Sequence, residues 1–178
     1  MAKDDIKRAL LDMIKILEKG IVMEHNAREF YLSAAQKAAG ERGREMLQWL
    51  ADFEAGHAAR LRAKRDELLE HPSISGTSAR PPDDYTVSEA GGWGTLSSES
   101  TDIDILKVAL DNEKKAYAFF QRKITHAADP TVETLFRELA RDEERHVQII
   151  GDQLQHLKTN QLWMDMKEFD DYMQGRKK

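Results

Sequence analysis

Residues 50–57, LADFEAGH, and residues 139–146, LARDEERH, each contain Glu-x-x-His, and this doubled motif decides the fold. Each motif has a further glutamate 30 positions before its own glutamate, and the two copies are 89 positions apart at every member. The members are Glu24, Glu54 and His57 in the first copy and Glu113, Glu143 and His146 in the second. One glutamate from one helix and Glu-x-x-His from the next, present twice, is a ligand pattern of di-iron carboxylate sites in helix bundles. The sequence therefore predicts an all-α bundle around a two-metal site.

The repeat extends beyond these candidate ligands. Aligning 24–57 with 113–146 without gaps places Tyr31 against Phe120, an aromatic residue against an aromatic residue. Identical residues also occupy the aligned pairs Ala27/Ala116, Phe30/Phe119, Ala38/Ala127, Ala39/Ala128, Leu50/Leu139 and Ala51/Ala140. Because the repeated unit is a helix hairpin present only twice, the pattern indicates pseudo-twofold symmetry rather than a solenoid.

Apolar residues at helical spacing predict two helices in the N-terminal half of the chain. The first covers about 5–39 and the second about 45–70, with Gly40 and Gly43 bracketing the turn between them. Pro72 follows the second helix, as expected just past a helix end. These two helices form the first predicted hairpin.

The C-terminal half repeats the two-helix pattern. The third helix starts near the cap candidates Ser98–Thr101 and ends near Ala128. Asp129-Pro130 is an N-cap and first-position pair for a fourth helix that reaches about residue 157. A short fifth helix is predicted over 161–173, with apolar residues facing the bundle or a partner subunit: Leu162, Trp163, Met166, Phe169 and Met173.

Residues 72–100 are rich in proline, glycine and serine and predict a long connection, with a short packed piece around Tyr85 and Trp93. At roughly 3.3 Å per extended residue, such a connection can traverse a helix of about 25 residues. It would therefore make the second and third helices parallel. The predicted organisation is a single domain, 1–178, made of a hairpin at 5–71, a crossover at 72–100, a hairpin at 101–157 and an extension at 158–178.

The six candidate ligands lie where a core residue is expected. Residues three apart on a helix share a face, so each Glu-x-x-His pair projects together. Carboxylates buried in a bundle core are costly unless they are paired or bound to metal, and two divalent cations would balance four of them. Four carboxylates and two imidazoles suit iron or manganese, whereas zinc or copper(I) would be favoured by thiolates.

Composition excludes several other classes. The chain has no cysteine, which excludes disulfides, iron–sulfur clusters and a rubredoxin-type iron centre within it. The formal net charge is −5 and no basic stripe stands out, which argues against nucleic acid as a partner. No apolar run approaches membrane-spanning length and the N-terminus does not resemble a signal peptide, so we expect a cytoplasmic protein with no membrane partner.

Other polar and aromatic residues have weaker patterns. Tyr31 lies two helical turns past Glu24, where its hydroxyl would contact the site or its ring would pack in the core; for Tyr117 we favour packing. Asp142 and Glu144 flank Glu143 and are expected to face solvent, pairing with Arg141 or Arg145. Four histidines fall outside the repeat and are expected at the surface or at helix ends: His25, His71, His126 and His156. Three tryptophans are expected to be packing or interface residues: Trp49, Trp93 and Trp163.

At these motifs the chain resembles the rubrerythrin branch of the ferritin-like superfamily, over about residues 5–157. Glu24-x-x-Ala27-x-x-Phe30-Tyr31 is similar to that family's first-helix signature, and the two Leu-Ala-x-x-Glu-x-x-His motifs are similar to its second and fourth. The resemblance implies a ferritin-like four-helix bundle in which the six candidates bind two iron ions and Tyr31 lies directly behind them. Rubrerythrins that reduce peroxide carry a further third-helix glutamate where this chain has Ala116, and they usually carry a rubredoxin domain.

The expected chemistry is oxidation of bound Fe(II) by dioxygen or hydrogen peroxide, with manganese as a second metal that fits these ligands. Reduction of peroxide or oxidation of another substrate would need a separate electron donor protein. Two alternatives remain open: an iron storage or carrier subunit, and a metal-free helical interaction protein. We expect a homodimer or a larger homo-oligomer.

Overall fold

The computed structural model describes residues 3–72, 94–165, 167 and 171, and these form four α-helices. Helix α1 is Lys3–Lys37, α2 is Glu41–Glu70, α3 is Asp102–Ile124 and α4 is Pro130–Asn160. No strand occurs in these residues. The predicted all-α, ferritin-like bundle is confirmed.

The helices pack as two hairpins, α1 with α2 and α3 with α4, which meet through α1–α3 and α2–α4 contacts. The start of α3 lies beside the end of α1, because the Ala39 amide donates to Asp102 Oδ1 at 3.1 Å. The end of α2 lies beside the start of α4, where Lys64 Nζ donates to Thr131 Oγ1 at 3.1 Å. Helices α2 and α3 therefore run parallel, as predicted, and the end of α2 and the start of α3 lie at opposite ends of the bundle. The predicted packed piece around Tyr85 and Trp93 lies outside the described residues.

Local signals in the sequence account for both starts in the second hairpin. Thr101 caps α3 by accepting a hydrogen bond from the Asp104 amide, and the Asp104 carboxylate accepts one from the Thr101 amide. Asp129 caps α4 by accepting from the Thr131 and Val132 amides, and Pro130 follows at the first helical position. These side chains satisfy amide groups that have no partner inside the helix.

Several predicted boundaries differ from the structure. Helix α2 begins at Glu41, so Gly43 lies inside the helix and not in a turn. A Cβ at Gly43 would approach Trp163 Cε2 to 2.6 Å, so glycine is required there by the indole that packs against α2. Helix α3 ends at Ile124 rather than Ala128, where the backbone turns before the Asp129 cap.

The C-terminal extension was also predicted imperfectly. Helix α4 continues to Asn160 and ends where Gln161 adopts a left-handed conformation, with φ of 57°. Residues 161–165 are not helical, so the predicted helix over 161–173 is wrong in that part, while residues 167 and 171 are helical. Trp163 packs in the core as expected, but Leu162 is 62% exposed and does not face the bundle.

The core consists of two apolar clusters along the bundle. One contains Leu47, Leu50, Ile105 and Ile150, and the other contains Leu17, Leu61, Phe120, Phe136 and Leu139. The predicted ligands lie between these clusters in the sequence of every helix, so they form a polar layer between two apolar ones. No helix among the described residues combines the length and apolarity needed to cross a membrane.

Candidate metal centre

All six sequence-predicted ligands come together inside the bundle. Glu24 comes from α1, Glu54 and His57 from α2, Glu113 from α3, and Glu143 and His146 from α4. Each of them is at most 2% exposed. Because each Glu-x-x-His pair lies on the inner face of its helix, four helices deliver six side chains to one place.

The side chains form two overlapping groups, each of the size that holds one metal ion. Position A consists of Glu24, Glu54, His57 and Glu143. In each of the two groups, every residue offers one ligand atom, and these atoms all lie within 4.8 Å of one another. Position B consists of Glu54, Glu113, Glu143 and His146. Glu54 and Glu143 therefore belong to both positions.

The two shared glutamates present different oxygens to the two histidines. His57 Nδ1 lies 3.2 Å from Glu54 Oε2 and 3.0 Å from Glu143 Oε1. His146 Nδ1 lies 3.2 Å from Glu54 Oε1 and 3.4 Å from Glu143 Oε2. This is the arrangement in which one carboxylate can bridge two metal ions.

The remaining glutamates are each specific to one position. Glu24 Oε2 lies 3.8 Å from His57 Nδ1, and Glu113 Oε2 lies 3.3 Å from His146 Nδ1. The two imidazole rings are nearly parallel, with centroids 5.5 Å apart and an interplanar angle of 20°. Both histidines therefore direct Nδ1 toward the carboxylates and Nε2 away from them.

The buried polar atoms fit a pair of divalent cations. Both carboxylate oxygens of Glu24, Glu54 and Glu143 make no well-aligned hydrogen bond within the described part of the chain, and neither does His57 Nδ1, although it lies within ion-pair distance of these carboxylates. Buried polar groups are otherwise almost always satisfied in native proteins. A set of inward-facing oxygen and imidazole atoms without partners is what hard or borderline divalent cations such as Fe(II) and Mn(II) bind.

Electrostatics divides the carboxylates into two pairs. Burial raises the pKa of Glu24 and of Glu113 well above the ordinary value, and the charges of Glu54 and Glu143 raise these two pKa values further. Burial acts in the same direction on Glu54 and Glu143, but the two imidazoles outweigh it and lower both pKa values. In the metal-free protein the shared glutamates are therefore the ionised pair.

The pKa values of both histidines are raised, although burial by itself would lower them. Burial by itself would lower the pKa of His57, but the carboxylates of Asp142, Glu143, Glu24 and Glu54 raise it well above its ordinary value. The pKa of His146 is raised in the same way by Glu113, Glu143 and Glu54, against the effect of burial. In the metal-free protein, protons on the two imidazoles therefore supply positive charge that bound metal ions would otherwise supply.

Tyr31 contacts the site through its hydroxyl, which was one of the two interpretations of its sequence position. The fully buried side chain donates a hydrogen bond from Oη to Glu113 Oε1. Burial raises the pKa of the Tyr31 phenol well above its usual value, so it remains a neutral donor. Tyr117, by contrast, is partly buried against the apolar cluster, as expected for packing.

Sequence reasoning missed the role of Asp142, which was expected to face solvent. Its Oδ2 lies 3.6 Å from His57 Nε2, the nitrogen that points away from the glutamates. Arg60 Nη1 lies 3.4 Å from the same carboxylate, and Arg145 Nη1 lies 3.5 Å from its other oxygen, so the predicted Arg145 pairing is confirmed. The signal that could have found it is its place next to Glu143, on the side of α4 that faces α2.

The repeat position equivalent to Asp142 is Phe53, and it behaves differently. The Phe53 ring meets the His146 ring edge-on, with ring centroids 5.6 Å apart, and the centroid of the Trp49 ring lies 4.2 Å from that of Phe53. His146 Nε2 is buried and has no hydrogen-bond partner among the described residues. The two histidines therefore make similar contacts with the glutamates through Nδ1, but their other neighbours differ: Asp142 faces His57, whereas Phe53 packs against His146.

The remaining sequence candidates lie outside the centre. His25 and His71 are exposed, as expected for surface residues. His126 and His156 are partly exposed, and each bonds within its own helix end, to Arg122 O and to Asn160 Nδ2 respectively. Glu144 is exposed, as expected.

Comparison with known proteins agrees with this geometry. The family model for rubrerythrin matches residues 15–88 and 98–177. A solved structure titled as a hypothetical protein from Pyrococcus furiosus is similar in fold, with a TM-score of 0.63 and 23% sequence identity over 85% of this chain and 93% of that one. No curated protein matches the chain.

Proposed function

This chain belongs to the rubrerythrin family, and from that premise we propose that it binds two iron ions and oxidises Fe(II) with dioxygen or hydrogen peroxide. The observation that carries the proposal is the sharing of Glu54 and Glu143, whose separate oxygens face both histidines at 3.0–3.4 Å. Two Fe(II) ions held there by Glu54 and Glu143 would each give up one electron, and these two electrons would reduce one molecule of peroxide or dioxygen.

The chain's own residues prepare this chemistry in three ways. Glu24 and Glu113 each complete one position, while Glu54 and Glu143 span both. The apolar clusters on either side exclude water, which strengthens the interaction of the carboxylates with cations. Tyr31 holds Glu113 from behind and so restricts how far this carboxylate can swing.

Iron is favoured over zinc or copper(I) by the ligand chemistry of the chain. The centre consists of four carboxylates and two imidazoles and contains no thiolate. Manganese fits the same ligands and remains a candidate for either position. The family match supports iron as the first choice.

Repeated turnover with peroxide requires electrons from outside the chain. The sequence contains no cysteine that could hold a rubredoxin-type iron centre. We therefore propose a separate electron donor protein for peroxide reduction. Ala116, where peroxide-reducing rubrerythrins carry an additional glutamate, is buried at 2% exposure in the apolar cluster. Simple Fe(II) oxidation needs neither the extra glutamate nor a donor.

The experiment that tests this function is anaerobic Fe(II) loading followed by desalting, metal analysis and rapid mixing with air-saturated buffer or peroxide. We expect about two irons per chain and a fast rise in near-ultraviolet absorption from ferric iron. Glu143→Gln should lose most of the bound iron, since it removes a ligand of both positions. Glu144→Gln is the matched control: it makes the same change at the next residue, which is exposed, and should behave as wild type.

Two results would contradict the proposal. If neither Fe(II) nor Mn(II) is retained after desalting, the metal-free interaction protein becomes the better explanation. If two irons bind but oxidise no faster than iron in buffer, the chain is a carrier or storage subunit and not an oxidase.

A further inference from the structure

We propose that the two metal positions are unequal, with position A retaining its ion and position B exchanging its ion. This inference rests on the proposed function in one respect, since it requires that both positions bind metal. It comes from the residues behind the ligands, which break the twofold repeat that the ligands themselves obey. Two independent breaks occur, one behind the histidines and one behind the terminal glutamates, and both act in the same direction.

Behind the histidines, the repeat places a carboxylate at one position and a phenyl ring at the other. Asp142 faces His57 Nε2 at 3.6 Å, whereas its repeat equivalent, Phe53, meets the edge of His146. A carboxylate on the far nitrogen of a metal-bound imidazole orients the ring and makes it a stronger donor to the metal. At 3.6 Å the contact is longer than a direct hydrogen bond, so a small approach of the two side chains is needed to complete it.

The charges around Asp142 support this role. Arg60 and Arg145 hold the carboxylate in place, but their side chains are 40% and 54% exposed, so solvent screens their charge. The His57 side of the contact is only 3% exposed. Asp142 therefore acts mainly on the imidazole, because that interaction lies in the less polar surroundings.

Behind the terminal glutamates, the repeat places a hydroxyl at one position and no hydroxyl at the other. Tyr31 donates to Glu113 in position B, while its repeat equivalent, Phe120, offers no donor to Glu24. Both Glu24 oxygens lack a donor within the described part of the chain. A hydrogen bond withdraws electron density from a carboxylate, so Glu113 is a weaker ligand to a metal ion than Glu24.

Position A therefore combines the stronger imidazole with the stronger terminal carboxylate, and position B combines the weaker of each. We infer that the first ion fills position A and stays there. The second ion enters and leaves at position B, which makes this the position where substrate Fe(II) is loaded and released. The shared glutamates link the two positions, so oxidation still requires both to be filled.

Isothermal titration calorimetry of the metal-free protein with Co(II) tests whether the two positions differ in metal affinity. It needs no enzymatic readout. Wild type should bind two ions with dissociation constants at least about tenfold apart. Asp142→Asn should weaken the tighter phase by about 10- to 100-fold, the usual effect of removing such a histidine partner. Glu144→Gln removes one negative charge two residues away at an exposed position and should leave both phases unchanged.

The reverse exchange provides a second variant that does not depend on weakening the protein. Phe53→Asp gives His146 the carboxylate that its repeat equivalent has, and Phe53 is 36% exposed, so the fold should accept an acid there. We expect the weaker phase to tighten by about tenfold or more. Tyr31→Phe should also tighten the weaker phase, by a smaller factor, because it frees Glu113 from its donor.

The outcomes separate this inference from the proposed function. Two equal affinities in wild type, or a loss from the weaker phase in Asp142→Asn, would overturn the inequality while leaving a two-metal protein. An equal loss in Glu144→Gln would assign the effect to overall charge and also overturn it. Failure of wild type to bind any Co(II), Fe(II) or Mn(II) would overturn both proposals together.

Discussion

At the scale of single residues, the centre balances its charge with protons when metal is absent. The pKa shifts favour imidazolium ions at His57 and His146, carboxylates at Glu54 and Glu143, and a protonated acid at Glu24. Burial and the charges of Glu54 and Glu143 raise the pKa of Glu113 in the same way and favour its protonated form. Two positive and two negative groups then cancel. Two divalent cations with four carboxylates and two neutral imidazoles cancel as well, so metal binding replaces protons without changing the net charge of the layer.

Proton release on metal binding follows from this exchange. Each group with a raised pKa in the metal-free fold must lose its proton before it can bind metal, so metal affinity should rise with pH and fall on acidification. We expect release approaching four protons when both positions fill near neutral pH, from the two histidines and from Glu24 and Glu113. Calorimetry of Co(II) binding in buffers with different ionisation enthalpies measures this number. Affinity that does not change between pH 6 and 8 would contradict the assignment.

At the scale of one helix, α2 contains two glycines that should respond oppositely to the same change. A Cβ at Gly43 would lie 2.6 Å from Trp163, whereas a Cβ at Gly56 would have no neighbour within 4 Å. Gly43→Ala should destabilise the protein by about 1–3 kcal/mol through overpacking. Gly56→Ala should stabilise it by about 0.5–1 kcal/mol, because alanine restricts the unfolded chain and favours helix.

Chemical denaturation of both variants in the metal-free form measures this pair. Each variant acts as the other's control, since both replace a glycine of α2 by alanine. Similar stabilities for the two variants would mean that Trp163 does not pack against Gly43 in solution.

The same glycines show what sequence could predict at this scale and what it could not. The helices of the second hairpin start where their caps predicted, because Thr101 and the Asp129-Pro130 pair act on neighbouring amides. Gly43 was wrongly placed in a turn, since its reason is a tryptophan 120 positions away in sequence. Local chemistry is readable from local sequence, whereas a close approach between distant segments is not.

The metal centre was also predictable only in part. Helical spacing and the 89-residue repeat were sufficient to predict all six candidate ligands, which the structure brings together. The six ligands all obey the repeat, whereas the alignment pairs Asp142 with Phe53; the repeat could not reveal that these two side chains face the two histidines. That difference depends on how α2 and α4 turn toward each other, which no single-helix pattern contains.

At the scale of the whole molecule, the centre joins the two hairpins. Glu24, Glu54 and His57 belong to α1 and α2, while Glu113, Glu143 and His146 belong to α3 and α4. A metal ion at either position would take its ligands from both hairpins. Unfolding must separate these ligands, so bound metal should stabilise the assembly of the bundle and not merely one helix.

Metal should therefore raise the unfolding temperature. With free metal at about 100 times the dissociation constant, one site adds about 2.7 kcal/mol, provided that the unfolded chain binds little metal. For a chain of this size that corresponds to an increase of roughly 5–10 °C, measured by thermal unfolding with and without Mn(II) or Co(II). Addition of a chelator should reverse the increase.

A matched pair of variants on α2 decides whether this stabilisation comes from the centre. Glu54→Ala removes a carboxylate shared by both positions and should abolish most of the metal-dependent increase. Glu45→Ala makes the same substitution at an exposed position of the same helix and should retain it. Both substitutions change the intrinsic helix propensity of α2 equally, so the loss of the buried carboxylate is the main difference between the metal-free proteins. If Glu54→Ala keeps the full increase, metal binds elsewhere and the two hairpins are not joined through this layer.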